Sequence, residues 1–231
     1  MGMHHGVIAA KAPSARLIEA INSHTSRLEA GAPAARLDDI PLEATDAGWG
    51  LAFGERAGTT YIFDTSLVLS ADFDLIAALS RDLGTPVLGW GAETVSGSYW
   101  FIACRDGELV RGYWHCHMDM RAPWSRGPSL ETEATRPFDA DLDGDGLEAG
   151  ARELGFDFGG WLQTGPFVAL SYEAKEFPQK GPIGEEFSRF HATVRIPERE
   201  QPKIVAVARS AGKRDDPDKP KRKGIRGLFG R

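Results

Sequence analysis

Cysteine is scarce in this chain: Cys104 and Cys116 are the only two in 231 residues. On the two arms of the hairpin predicted below they fall on opposite faces, beyond disulfide reach. They also lack the C-x-x-C spacing of a thiol-redox motif, so a disulfide framework is excluded. Long apolar runs are missing as well. None approaches the ~20 residues a membrane-spanning helix requires, and the mean hydropathy is −0.30. The opening residues, MGMHHGVIAAKAP, have no basic stretch, which predicts no signal peptide. Gly6 stands where a myristoylation motif requires Ser or Thr. Free thiols without an export signal predict a reducing, cytoplasmic setting. There is no phosphate-binding G-x-x-x-x-G-K-[ST] loop and no G-x-S-x-G elbow. Gly89-Trp90-Gly91 lacks the third glycine and following helix of a dinucleotide fingerprint. No repeat of solenoid length is visible.

What the chain does contain is a dense aromatic and β-branched stretch from Thr85 to Met120, TPVLGWGAETVSGSYWFIACRDGELVRGYWHCHMDM. Asp106-Gly107 lies in its middle. Asp-Gly between apolar arms predicts a two-residue hairpin turn, because both turn residues must take positive φ. Counting outward pairs Arg105 with Glu108, Cys104 with Leu109, Ile102 with Arg111, Trp100 with Tyr113 and Ser98 with His115. One face then carries Trp100, Ile102, Cys104, Leu109, Arg111 and Tyr113; the other carries Tyr99, Phe101, Ala103, Val110, Gly112 and Trp114. Both faces are apolar, so the pair is expected near the middle of a sheet covered on both sides. The Trp100/Tyr113 aromatic pair is worth roughly 0.2–1 kcal/mol over alanine. Arg111 is the one cation on its face and either meets a carboxylate there or reaches the surface.

Around this centre, Met3–Ala10 reads as a strand. Pro13–Ala30 reads as a helix, with Leu17, Ile18, Ile21 and Leu28 on one side and Gly31 and Pro33 ending it. Residues 32–47 read as a loop. Trp49–Glu55 and Thr59–Asp64 form a second hairpin around Ala57-Gly58. A helix capped by Ser70 runs to Leu83, with Asp72 and Asp74 at its start and Arg81 near its end, as the helix dipole favours. Asp119–Pro137 is irregular. A short helix spans Gly146–Leu154, burying Leu147, Ala151 and Leu154. Phe167–Glu173, Arg189–Ile196 and Ile204–Ala208 are candidate strands. The expected class is α+β: a mainly antiparallel mixed sheet around the central Asp-Gly hairpin, two to three helices packed on it, and a disordered basic tail. Residues 1–208 form one domain, any internal boundary falling in 119–137, and residues 209–231 form the tail.

Charge follows that division. The net charge is −6, made of +6 on residues 209–231 and −12 on the rest. In the tail Ile225, Leu228 and Phe229 stand beside Lys221, Arg222, Lys223 and Arg226, a pairing that suits contact with an anionic membrane surface, a nucleic acid or an acidic partner. The alternative is a solvated tail folding back on its own acidic body. That acidic body is itself unsuited to nucleic acid.

Three constellations bear on chemistry. On a strand, His115, His117 and Asp119 would share a face. Two imidazoles and a carboxylate suit Zn or another transition metal if His4, His5 or His191 adds a ligand. The plainer reading is strand-end side chains meeting water or backbone. Asp141, Asp143, Asp145 and Gly146 match the start of a calcium loop, but Arg152 stands where the bidentate Glu belongs and Glu148 where a hydrophobe is expected. Asp145 with Glu148 reads equally as a capping box. Finally, Glu93, Tyr99, Trp100, Arg111, Tyr113 and Trp114, with Trp90 beside them and Trp124 in the irregular segment, are the residue types that dominate binding hot spots. They are also what a sheet core is made of.

GAETVSGSYWF, the Asp-Gly turn and LVRGYWHCH together resemble a block found in uncharacterised bacterial α+β proteins, some of them immunity-protein-like. The resemblance covers Leu75–Glu133 and brings no catalytic motif. It implies a bacterial, cytosolic protein. The first functional expectation is a non-enzymatic interaction protein, immunity-like or regulatory, whose acidic body meets its partner by charge complementarity. A metal-dependent enzyme built on His115, His117 and Asp119, and docking through the tail, are the alternatives.

Overall fold

The computed structural model describes residues 4–25, 27–40, 49–119, 123–138, 142–157, 166–173 and 182–193. Its strands are β1 (His4–Ala10), β2 (Arg27–Ala34), β3 (Trp49–Arg56), β4 (Thr59–Asp64), β5 (Val87–Glu93), β6 (Ser98–Arg105), β7 (Glu108–Cys116), β8 (Trp124–Arg126) and β9 (Phe167–Glu173). Its helices are α1 (Ser14–His24), α2 (Phe73–Leu83), α3 (Gly144–Glu153) and α4 (Pro182–Thr193). The strands make one sheet in the order β2-β9-β3-β4-β1-β5-β6-β7-β8. Every neighbouring pair is antiparallel. An α+β class with a large antiparallel sheet is therefore what the chain adopts. None of the described helices is long and apolar enough to cross a membrane. The predicted tail and the predicted strand Ile204–Ala208 lie outside the described residues.

Both faces of the sheet are covered, as the two apolar faces of the central hairpin demand. On one face Ile8, Leu51, Ile62, Ile102 and Cys104 pack with Leu17 and Ile21 of α1 and with Ile76, Leu79 and Leu83 of α2, while Ile183 and Phe187 of α4 join from the rim. On the other face Val7, Phe63, Leu88, Trp90, Phe101 and Tyr113 pack with Leu147 and Ala151 of α3 and with Ile40, Leu130, Phe138 and Phe156. Both predicted hairpins form. Asp106 and Gly107 take φ of 52° and 85°, and Ala57 and Gly58 take 49° and 75°. Positive φ at both turn positions matches the right-handed twist of the flanking strands.

The predicted register holds for two pairs and then fails. Arg105 faces Glu108 and Cys104 faces Leu109, but a shift follows and Ala103 faces Arg111. Val110 is the extra residue of a bulge, and everything beyond it changes partner by one. Trp100 faces Trp114, not Tyr113, while Phe101 faces Tyr113 and Tyr99 faces His115. A one-residue slip sends every later side chain of β7 to the other face. The bulge also places Cys116 opposite Ser98, on the same face as Cys104 and six residues of strand away, and both thiols are free.

Four predicted elements differ. The helix expected to reach Ala30 ends at His24, because the Asn22 amide bonds both the N–H and the carbonyl of Leu28 (2.6 and 3.1 Å) and turns the chain into β2. Leu28 then packs from a strand opposite Tyr172, its seven-residue offset from Ile21 having imitated a helical face. Gly31 and Pro33 sit in this border strand, where the register breaks between Ala30 and Pro33. The cap of α2 is Asp72, which accepts from Asp74 N and Leu75 N at 3.0 Å. Ser70 instead bonds the buried Asp64 carboxylate through its N–H and hydroxyl at 2.8 and 2.9 Å. Asp143, rather than Asp145, caps α3, and the helix starts at Gly144. Residues 189–193, expected as strand, are the end of α4. Pro182 opens that helix, where its missing N–H costs nothing.

Candidate functional site

The sheet divides the predicted binding residues between its two faces, and the bulge changes which of them share a face. Arg111, Tyr113, Tyr99 and His115 lie on the α3 side, and Trp100, Trp114 and Trp124 lie on the side of α2 and α4.

Arg111 resolves toward a carboxylate. Its guanidinium is 2% exposed and its partner Glu133 8%. Nε and Nη2 donate to the two Glu133 oxygens at 2.7 Å each. Nη1 donates to Ser125 Oγ at 2.7 Å and to the carbonyls of Gly112 and Arg126 at 3.2 and 3.1 Å. Glu133 Oε1 also accepts from Leu130 N at 2.9 Å. Phe138 lies under the guanidinium, 5.6 Å from its carbon to the ring centre, and packs edge-on against Tyr113. The fork geometry of Arg fits this bidentate pairing. It ties β7, β8 and the 3-10 turn at 131–134 together, and it leaves no face of Arg111 for a substrate.

Trp100 is core. Its indole N–H donates to the carbonyl of Ser70 at 3.0 Å. The ring lies across Gly91, where a Cβ would stand 2.2 Å from it, and beside Gly6. Trp114 and Trp124 belong to a ring cluster with Phe73 and Phe187, the centroids of its contacting pairs lying 4.9–5.7 Å apart.

Glu93 uses its carboxylate locally, accepting from Val95 N and Ser96 N at 2.8 and 2.7 Å to close the turn between β5 and β6. Beside that turn, β7 ends at Cys116 and a 3-10 turn takes up His117–Asp119. Strand alternation therefore stops before His117, so the shared face expected for three ligands is not a strand face. The His115 and His117 rings still meet edge to face at 4.7 Å, with Tyr99 5.8 Å from His117. The side chains of Asp119, His4, His5 and His191 lie outside the described residues. Among the described residues no group of three His, Cys, Asp or Glu is placed to hold a metal ion. Of the calcium-loop candidates Asp141 lies outside them, and Asp143 caps α3. This end of the sheet also carries the exposed large hydrophobics of the described residues, Val95 (84%) and Met118 (73%). The two segments are tied by Met118 N to Ser96 O and His117 N to Gly97 O.

A feature that sequence reasoning missed lies at the opposite end of the sheet. A cleft of about 290 Å³ is lined by Lys11, Arg56, Thr59, Tyr61, Gly155 and Asp157. Tyr61 donates to the carbonyl of Asp157 at 2.9 Å, and burial pushes its phenol up from the usual range. Lys11 lies 5.6 Å over the ring of Phe156. Only the fold brings these residues together, from β1, the β3–β4 turn and the end of α3. No family model, curated protein or solved structure matches the chain.

Proposed function

We propose that this chain is a non-enzymatic protein that acts by binding a partner protein, in an immunity-like or regulatory role. The observation that supports this reading is the closure of Arg111. The most promising polar group of the central hairpin is bonded to Glu133, Ser125 and two carbonyls and sealed by Phe138. The acidic body, −12 over residues 1–208, favours a positively charged partner surface. Capture from source cells at low and high salt tests it. The expected result is one stoichiometric partner whose recovery falls as salt rises. Recovery of no stoichiometric partner at low salt sinks the reading.

The contact of His115 with His117 favours a second reading, a metal-dependent site completed by Asp119. Elemental analysis of untagged protein decides it: a stoichiometric transition metal supports the site, and none refutes it.

A further inference from the structure

Two helices share one face of the sheet but are held differently. Of α2, seven residues are buried, Phe73 to Leu83. Of α4, none of the described side chains at 183–189 is buried; Ile183 and Phe187 reach the core only in part. Among the contacts that seat α4, three kinds stand out. Ile183 N and Gly184 N each donate to one Asp74 oxygen at 3.0 Å. Phe187 stacks on Phe73 at 5.0 Å and meets Trp114 and Trp124 edge-on at 5.4 and 5.7 Å. On the rim, Glu186 pairs with the exposed Arg126 at 3.2 Å.

We propose that the groove lined by Phe73, Trp114, Trp124, Asp74 and Arg126 is where a helix of the partner protein docks, with α4 as its displaceable in-chain occupant. The proposal rests on the partner-binding reading above and supplies its surface. The chemistry of the occupant is written in α4. Asp74 bonds backbone N–H groups, so it accepts the uncapped first turn of any helix. The ring box takes one aromatic side chain, four residues after the first N–H that Asp74 binds. Arg126 takes a carboxylate next to that aromatic. This is helix-in-groove recognition, in which an apolar anchor gives affinity and rim charges fix register. The floor is made of Trp and Phe, residues that carry binding energy when they are covered. A helix with no buried side chain among those described opens well below global unfolding, so a partner helix reaches the groove without unfolding the sheet.

A fluorescent peptide of residues 182–193, PIGEEFSRFHAT, titrated into the full chain provides the test. In the wild type α4 competes with the peptide; in Phe187→Ala the in-chain helix loses its anchor. Removing that ring raises the open population roughly ten- to a hundredfold. The F187A chain is expected to bind the peptide at least about tenfold more tightly than the wild type, and a peptide with the same Phe→Ala change is expected not to bind. Equal affinity for both chains, or no saturable binding to either, overturns the proposal. Should F187A fail to fold, hydrogen exchange on the wild type decides. Amides of α4 exchanging at least about tenfold faster than those of α2 support displacement, and equal protection overturns it. A concentration-dependent dimer of the wild-type chain that is lost in F187A overturns the partner assignment in favour of α4 exchange between copies. In the capture experiment, F187A recovering more partner than the wild type supports the groove. Equal recovery by both overturns the groove but leaves the partner reading standing. Recovery by neither overturns both.

Discussion

Strand β7 carries an aromatic cluster on each face, and the two are closed in opposite ways. On the α3 side Phe138, packed against Phe101 and Tyr113, covers a guanidinium bonded to Glu133 and its neighbours. On the other side Trp114 and Trp124 are covered by Phe187 of a helix that has no buried side chain among those described. Residue types alone are nearly the same in both. What separates them is whether the cover is part of the core. An ion pair removed from water cannot be opened cheaply, because each charge would be left without its partner. A helix whose described side chains are none of them buried opens more readily.

The largest expected effect breaks the closed cluster. Glu133→Ala leaves Arg111 buried and unpaired and should cost about 3–5 kcal/mol, read as a lower urea midpoint. A loss under ~1 kcal/mol would show that this cover is as loose as the other. Gly91→Ala, which drives a methyl into the Trp100 ring, should cost about 1–3 kcal/mol by overpacking, measured in the same way. Asp74→Ala removes the acceptor of the first turn of α4 and should cost about 1 kcal/mol. Its signature is faster amide exchange confined to α4, with α3 and Arg111 untouched.

The cysteines sharpen the contrast between a sealed interior and an accessible rim. Burial pushes the Cys104 thiol up to about 12, whereas Cys116 is half-buried at the sheet end with its thiol donating to Ser96 O. Native protein treated with a thiol reagent at mildly alkaline pH should be labelled at Cys116 alone by mass spectrometry. Cys104 should react only after unfolding.

The smallest effect lies away from both clusters. Hydrogen bonds from the Ser14 hydroxyl and then from Ser14 N, at the start of α1, lower the Glu55 carboxyl below the usual range. A lowered folded-state pKa adds stability above the unfolded value, lost as pH falls through the folded one. Glu55→Gln should therefore lower stability slightly near neutrality, leave it unchanged at acid pH below the folded-state value, and so flatten the acid limb, as read from urea midpoints across pH.

Much of this was legible in the sequence, and the misses have common physical causes. Asp106-Gly107 and Ala57-Gly58 announced their turns because positive φ is costly for most residues. The end of α2 was clear from Arg81 and Gly84, whereas its start was placed two residues early at Ser70 in place of Asp72. The bulge at Val110 was invisible: in a run apolar on both faces, one inserted residue disturbs no pattern. That single residue moved Arg111, Tyr113 and His115 to the face opposite Trp100 and regrouped the expected binding residues. Of the two fates open to Arg111, a carboxylate or the surface, the first is realised, but Glu133 is 22 residues away and only the chain's return past β8 brings it close. Residues 189–193 look like a strand when read alone. Asp74, more than a hundred residues earlier, seats the first turn of the helix that contains them.

The borders of the sheet bear on how this molecule meets others. Pro33 in β2 has no amide hydrogen to offer, and the ladder slips beside it. At the far side β8 supplies only three residues. An approaching strand finds a broken template at one margin and a stub at the other. Extension of the sheet by a visiting strand is thereby discouraged at both described margins.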